Sequence, residues 1–172
     1  MRLRLIVTAL ALLPLAACGD GETGPSATPT AAPTAPASAS PAAAVTATDM
    51  WVKTADKGMS AAFGTLANTT GREIVIVSAA TPASPMVELH EVVGTGGEMK
   101  MQPKSGGFAI PAHGSLELKP GGYHIMLMNI AEPIEPGDGV AFTLKLKDGS
   151  EVTFTALAKT FNGGNETYRP GH

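Results

Sequence analysis

His90, His124 and several methionines recur between residues 86 and 128 at spacings that suit extended strands. His90 lies in the run Met-Val-Glu-Leu-His-Glu, Met99 and Met101 flank a single lysine, and residues 123–128 read Tyr-His-Ile-Met-Leu-Met. Imidazole nitrogen and thioether sulfur together form a soft donor set, which favours Cu(I) over harder divalent ions. These residue types therefore predict a binding site for a soft monovalent metal ion.

The spacing of these residues matters because side chains alternate between the two faces of a strand. His124, Met126 and Met128 share one face of a strand, and the Cα atoms of the first two lie about 6.6 Å apart at the usual rise per residue. Met99 and Met101 also share a face, and the residues alone leave open which of the two binds. Met128 is more typical of a core residue than of a ligand.

The strand around His90 has its own alternation. Val87 and Leu89 mark the face expected to point into the core, so His90 and Glu88 take the opposite face. A glycine-rich turn follows this strand at 94–97. We therefore expect His90 at a partly exposed rim near the end of a strand, where functional sites are commonly built. Trp51 is expected in the core, and packing of its ring near the metal site is the alternative.

The donor set also limits the identity of the metal. Two imidazoles and two thioethers are neutral, whereas zinc sites normally include a carboxylate, a thiolate or three histidines. A blue-copper site needs a thiolate, and the chain has a single cysteine, Cys18, close to its N-terminus. Cu(I) is the ion that these donors predict. Cu(II) is a further candidate ion, for which the terminal His172 could serve, although a terminal polar residue needs no role.

The first 18 residues predict export and attachment to a membrane. Arg2 and Arg4 precede an apolar stretch at 5–15 that is too short to span a bilayer. A cysteine directly after the small-residue exit, Cys18, resembles the lipobox of bacterial lipoproteins, in which this residue is acylated. We expect residues 1–17 to be a signal peptide and the mature chain to be lipid-anchored on the extracytoplasmic face; an ordinary secretory signal is the alternative.

Charge and motifs argue against two classes of function. Residues 1–17 contain two arginines and no acid, so the mature chain keeps 10 basic and 15 acidic residues. Without a cluster of Lys and Arg, nucleic-acid binding has no electrostatic support. The chain contains neither G-x-S-x-G nor H-E-x-x-H, so no hydrolase motif supports catalysis, and we predict that the protein is not an enzyme.

The rest of the chain predicts one β-domain behind a tether. Residues 18–44 combine the lipidated cysteine with a flexible linker of Ala, Pro, Ser and Thr, which cannot bury a core. Short alternating segments between glycine, proline and asparagine turns predict an all-β sandwich or barrel over 45–161. Pro120-Gly121 suits a type II turn and Asp148-Gly149 a hairpin. Residues 162–172 are expected to be a loose tail.

The order and spacing of these residues resemble those of a known family. Ten residues separate His90 from Met101, and twenty-two separate Met101 from the His124-x-Met126 pair, which resembles the ligand motif of the PCu(A)C copper chaperones. Trp51-Val-Lys, Pro111-Ala-His-Gly and the Asp148-Gly149 hairpin also fit this family. The resemblance covers nearly the whole predicted domain; a lipid-attachment site is where this chain departs from a free periplasmic protein.

The resemblance implies a cupredoxin-like, Greek-key type β-fold with Cu(I) bound by His90, Met101, His124 and Met126. Met99 and Met128 are the secondary candidates. It further implies delivery of copper to the Cu(A) centre of cytochrome c oxidase, with subunit II or an assembly factor as the acceptor protein. The alternatives are a lipid-anchored β-sandwich interaction module and a copper store without a delivery role.

Overall fold

Short strands and tight turns account for the chain that the structure describes. The computed structural model describes residues 44–94 and 99–163, together with the backbone of 167–168. Its strands are β1 Val45–Lys53, β2 Met59–Asn68, β3 Ile74–Ala80, β4 Met86–Val93, β5 Lys100–Pro103, β6 Phe108–Ile110, β7 Ser115–Leu118, β8 His124–Met128, β9 Gly139–Leu146, β10 Glu151–Lys159 and β11 Thr167–Tyr168. The predictions for residues 1–43 and for His172 fall outside the described residues.

The strands form one mostly antiparallel sheet. Along it the order is β11-β5-β4-β8-β2-β1-β10-β9-β3-β6, and β7 pairs with β2 off this path. The pairs β1–β10 and β5–β11 are parallel. Within the described ranges the chain forms no helix, so none is long and apolar enough to cross a membrane. The all-β prediction is confirmed.

Two turns that the sequence predicts are present with the expected geometry. β9 and β10 form a hairpin across Asp148-Gly149, with Glu151 opposite Lys145 and Gly149 at a φ of 88°. In the second turn, Gly121 has a φ of 73° and the amide of Gly122 donates to the carbonyl of Lys119 at 3.0 Å. Glycine adopts positive φ without the steric cost that a Cβ would bring.

Buried side chains on the core face of the sheet fix the register of the central strands. Leu89 of β4 pairs with Ile125 of β8, Ile125 with Ala62 of β2, and Ala62 with Val52 of β1. All four side chains are buried, and each large one contributes about 1.5–3 kcal/mol by leaving water. The residues before and after them in each strand must then point to the opposite face.

The C-terminal segment differs from the expected loose tail. β11, at 167–168, lies inside that segment and pairs in parallel with β5, placing Tyr168 beside Met101 in the register. Just before it, the carbonyl of Gly163 accepts a hydrogen bond from Nζ of Lys53 at 2.9 Å. Composition alone favoured a loose tail, because a two-residue strand leaves no periodic signal in the sequence.

Candidate metal centre

The two predicted histidines meet on neighbouring strands. Because β4 and β8 are antiparallel, His90 lies directly opposite His124, and their ring centroids are 5.5 Å apart with the planes at 70°. Their sequence neighbours Leu89 and Ile125 point into the core, so both imidazoles occupy the other face of the sheet. The sequence separates the histidines by more than thirty residues, and the sheet brings them together.

Hydrogen bonds fix which nitrogen of each ring carries the proton. Nε2 of His90 lies 2.8 Å from Oε2 of Glu88, and Nδ1 of His124 lies 3.0 Å from the carbonyl oxygen of Gly122. Both oxygens are acceptors, so in each neutral ring the contacting nitrogen donates and the other carries the lone pair. Nδ1 of His90 and Nε2 of His124 are buried. Metal-binding histidines are commonly oriented by such bonds.

The register ranks the methionines. Met126 lies opposite Glu88, and Met101 lies opposite Val92, so both occupy the face of the histidine pair. Strand spacing and rise put the Cα atom of Met126 about 6.6 Å from that of His124, and the Cα atom of Met101 about 8 Å from that of His90. The two methionines flank the histidine pair from opposite corners, Met126 on β8 and Met101 on β5.

The secondary candidates, Met99 and Met128, lie two residues farther from the histidine pair than Met101 and Met126. Met99 precedes β5 and is 46% exposed. Met128 is buried at the far end of β8, opposite Met86. The sequence left the choice between Met99 and Met101 open, and the register favours Met101 because it is nearer to His90.

The exposure expected at this site is wrong. The exposed fractions of His90, Met101, His124 and Met126 are 0%, 7%, 2% and 3%, whereas the alternating pattern suggested a partly exposed rim. The pattern identified the correct face, but it could not indicate what covers that face.

An aromatic cluster borders the histidine pair on the side of β2 and β1. The ring of Phe63 lies 6.1 Å from that of His124 and 4.6 Å from that of Trp51. Phe161, after the last long strand, packs edge-on against Trp51 at 5.4 Å. Sequence reasoning missed Phe63 and Phe161 as parts of the site. Phe63 and its neighbour Ala62 in β2 are both buried, so the sequence does not show that Phe63 faces the histidines until the partner strand is known.

Trp51 corrects a second expectation. It lies on the face of the histidines rather than in the core, because the β1–β2 register shifts between Thr48 and Trp51. Asp49, within this bulge, has a left-handed φ of 52°, which aspartate tolerates better than most residues. The extra residue re-aims the following side chain, so that Trp51 pairs with Phe63 and Val52 returns to the core.

Two acidic residues lie close to His90 in the sequence, and Glu88 contacts its ring. Glu88, whose side chain is 34% exposed, holds the imidazole. Glu91 instead pairs with Lys104 at 2.9 Å and accepts a hydrogen bond from Gln102. The hydrogen bond and charge attraction from Glu91 raise the pKa of Lys104 above its usual range. Glu88 is therefore the negative group beside the imidazole.

The remaining donors do not form a second site of hard or borderline ligands. His113 is exposed in a turn with a φ of 54°. Over 44–94 and 99–163, no group of three His, Cys, Asp or Glu side chains is placed to hold a metal ion.

Comparisons with known proteins identify the family and the fold of this chain. The family model of LpqE-like lipoproteins matches residues 45–158. Lipoprotein Lxx21020 of Leifsonia xyli subsp. xyli is 43% identical over 119 residues, which cover 69% of this chain and 72% of the relative.

Among solved structures, apo-DR1885 from Deinococcus radiodurans has 34% identity and a TM-score of 0.55, with 84% of this chain and 99% of that one covered. Its CuI form has 31% identity and a TM-score of 0.52, covering 72% and 85%. The copper-bound PCuAC domain from PmoF2 has a TM-score of 0.57 at 16% identity, covering 69% and 94%. The predicted cupredoxin-like fold is confirmed.

The packing of Phe161 on Trp51 can be tested by fluorescence. Phe161→Ala should shift the fluorescence of Trp51, the only tryptophan, to longer wavelength and increase its quenching by acrylamide, because the ring that packs on it is removed.

Phe154→Ala is the matched control, since Phe154 stacks on Phe142 at 5.2 Å and makes none of these contacts. Equal spectra for the wild type and the Phe161 variant would show that Phe161 does not cover this face.

Proposed function

This chain belongs to the LpqE-like family of lipoproteins, whose domain is of the PCuAC copper chaperone type, and on that premise we propose that it carries one Cu(I) ion outside the cytoplasm. The observation that carries the proposal is the histidine pair, with its two lone-pair nitrogens directed away from their hydrogen-bonded partners and two methionines on the same face. Structures named as copper-bound PmoF2 and CuI-DR1885 have the same fold.

The donor chemistry suits a monovalent ion. Nδ1 of His90 and Nε2 of His124 supply two nitrogen ligands, and the sulfurs of Met126 and Met101 complete a neutral, soft set. A buried charge is costly unless it is compensated. One positive charge on the ion is offset by the carboxylate of Glu88, which lies one hydrogen bond away through His90. A divalent ion would retain one more uncompensated charge.

The same chemistry supports transfer rather than storage. Thioethers are neutral ligands, whereas cysteine thiolates are charged donors that also select Cu(I). An acceptor with thiolates can therefore draw the ion from this site by ligand exchange, without a change in oxidation state. We propose the Cu(A) centre of cytochrome c oxidase as the destination, reached through subunit II or an assembly factor.

The proposed location is the extracytoplasmic face of the membrane, with Cys18 as the lipid-attachment site. Exported compartments oxidise thiols to disulfides. A carrier with His and Met ligands and no free thiol keeps its Cu(I) site under these conditions. The linker at 18–44 would let the domain reach an acceptor embedded in the same membrane.

Competition with a chromophoric Cu(I) chelator tests the proposal. The chain carrying Cys18→Ala, which has no thiol, should take up one tightly bound Cu(I). His124→Ala should weaken this binding at least about tenfold, the equivalent of 1.4 kcal/mol, because it removes a nitrogen ligand.

His113→Ala is the control, because His113 is an exposed turn residue and should leave the affinity unchanged. An absence of tight uptake, or equal effects of the two substitutions, would contradict the carrier function and favour an interaction module.

The register also predicts which methionine binds. Met101→Leu should lower the Cu(I) affinity at least about tenfold, while Met99→Leu should change it little, because Met99 lies farther from His90 and is exposed. Both substitutions remove one thioether from the same chain segment, so the comparison is matched. The opposite ranking in the chelator assay would exclude Met101 as the ligand.

A further inference from the structure

A row of three methionines crosses the sheet face next to the candidate centre. Met128 of β8 lies directly opposite Met86 of β4 on one side and Met59 of β2 on the other. Cross-strand neighbours on one face have their Cβ atoms about 4.5–5.5 Å apart. Three thioether side chains from three consecutive strands therefore occupy adjacent positions at the end of β8.

The exposure of this row is unusual for methionine. Met59 is 50% exposed and Met86 is 47% exposed, whereas Met128 between them is 6% exposed. Methionine is more often a buried residue that fills gaps in a core. The two outer side chains contribute little to the core, and their three rotatable bonds allow their sulfurs to reach an ion held above Met128.

The backbone under the row is fixed at its ends. The hydroxyl of the buried Ser84 contacts the carbonyl oxygens of both Met86 and Met128. On the other side, the amide of Ile130 donates to the carbonyl of Gly58 at 3.0 Å, next to Met59. These bonds tie the strand ends together, so the three methionines are held at adjacent positions rather than fraying apart.

The row is continuous with the buried centre. Met126 lies two residues before Met128 on the same face of β8, about 6.6 Å away at the usual rise. Opposite Met126 on β2 is Ala61, so β2 places no large side chain between the row and the centre. The centre is buried, so a route between it and solvent is required, and the row provides thioether ligands along such a route.

We propose that Met59, Met86 and Met128 form a second, solvent-accessible site for a soft monovalent ion, through which Cu(I) passes to and from the buried centre. This role in transfer rests on the proposed function. The step is an exchange of ligands: sulfur atoms of the row and of Met126 replace one another around an ion that stays Cu(I), and no electron or proton moves.

Titration with Ag(I), a redox-inert mimic of Cu(I), tests this site directly. The full chain carrying Cys18→Ala and ¹³C-methyl methionine is titrated while its methyl NMR signals are followed. The second equivalent of Ag(I) should shift the signals of Met59, Met86 and Met128. If the Met59 and Met86 signals stay unchanged through two equivalents, the proposed site is overturned.

Variants separate this site from the centre. Met59→Leu combined with Met86→Leu should weaken binding of the second equivalent at least about tenfold and leave the first unchanged. Met50→Leu, which removes a buried thioether of β1, should leave both unchanged. An unchanged second equivalent in the double variant would also overturn the proposal.

The two proposals fail separately. If His124→Ala leaves the first equivalent intact, the carrier function fails, while the methyl signals of Met59 and Met86 still report whether the row binds Ag(I). Shifts of both signals in that variant support the row as a metal site, and their absence overturns it.

Discussion

The pairing of β4 with β8 is the constraint on which the site depends. A slip of one residue in this register would send either His90 or the run of His124 and Met126 to the opposite face, because side chains alternate strictly along a strand. The register is held on the core side by the buried row of Leu89, Ile125 and Ala62. The chemistry on one face is therefore positioned by hydrophobic burial on the other.

Burial then determines which ion the site can hold. The histidines and the candidate methionines lie out of water, where an uncompensated charge is strongly destabilised. Glu88 orients His90 and supplies one negative charge beside it. In the proposed centre, neutral thioether sulfurs would add affinity for Cu(I) without adding charge. A carboxylate in place of a methionine would favour a harder, divalent ion.

Local patterns in the sequence predicted the strand faces and the turns, because these features depend on residues that are close in the chain. Alternation placed His124 with Met126 and separated His90 from Leu89, and turn chemistry identified the Asp148-Gly149 hairpin. The family resemblance selected Met101 over Met99, and the register supports the same choice. The all-β fold followed from the density of short strands and turns.

Contacts between distant segments could not be predicted in this way. Phe63 of β2 packs beside His124, and Phe161 from beyond β10 packs on Phe63. The bulge at Asp49, which turns Trp51 towards the site, leaves no mark in the local pattern. The methionine row is invisible in sequence because Met59 and Met86 become neighbours of Met128 only when β2, β8 and β4 pair.

The most direct measurement is a crystal structure of the chain loaded with one equivalent of Ag(I), with the ion located by its anomalous scattering. A centre built on the histidine pair predicts a single strong peak between the two imidazoles, coordinated by Nδ1 of His90 and Nε2 of His124 with methionine sulfur beside them. A peak away from the histidine pair, or coordination through the nitrogens that contact Glu88 and Gly122, would contradict it.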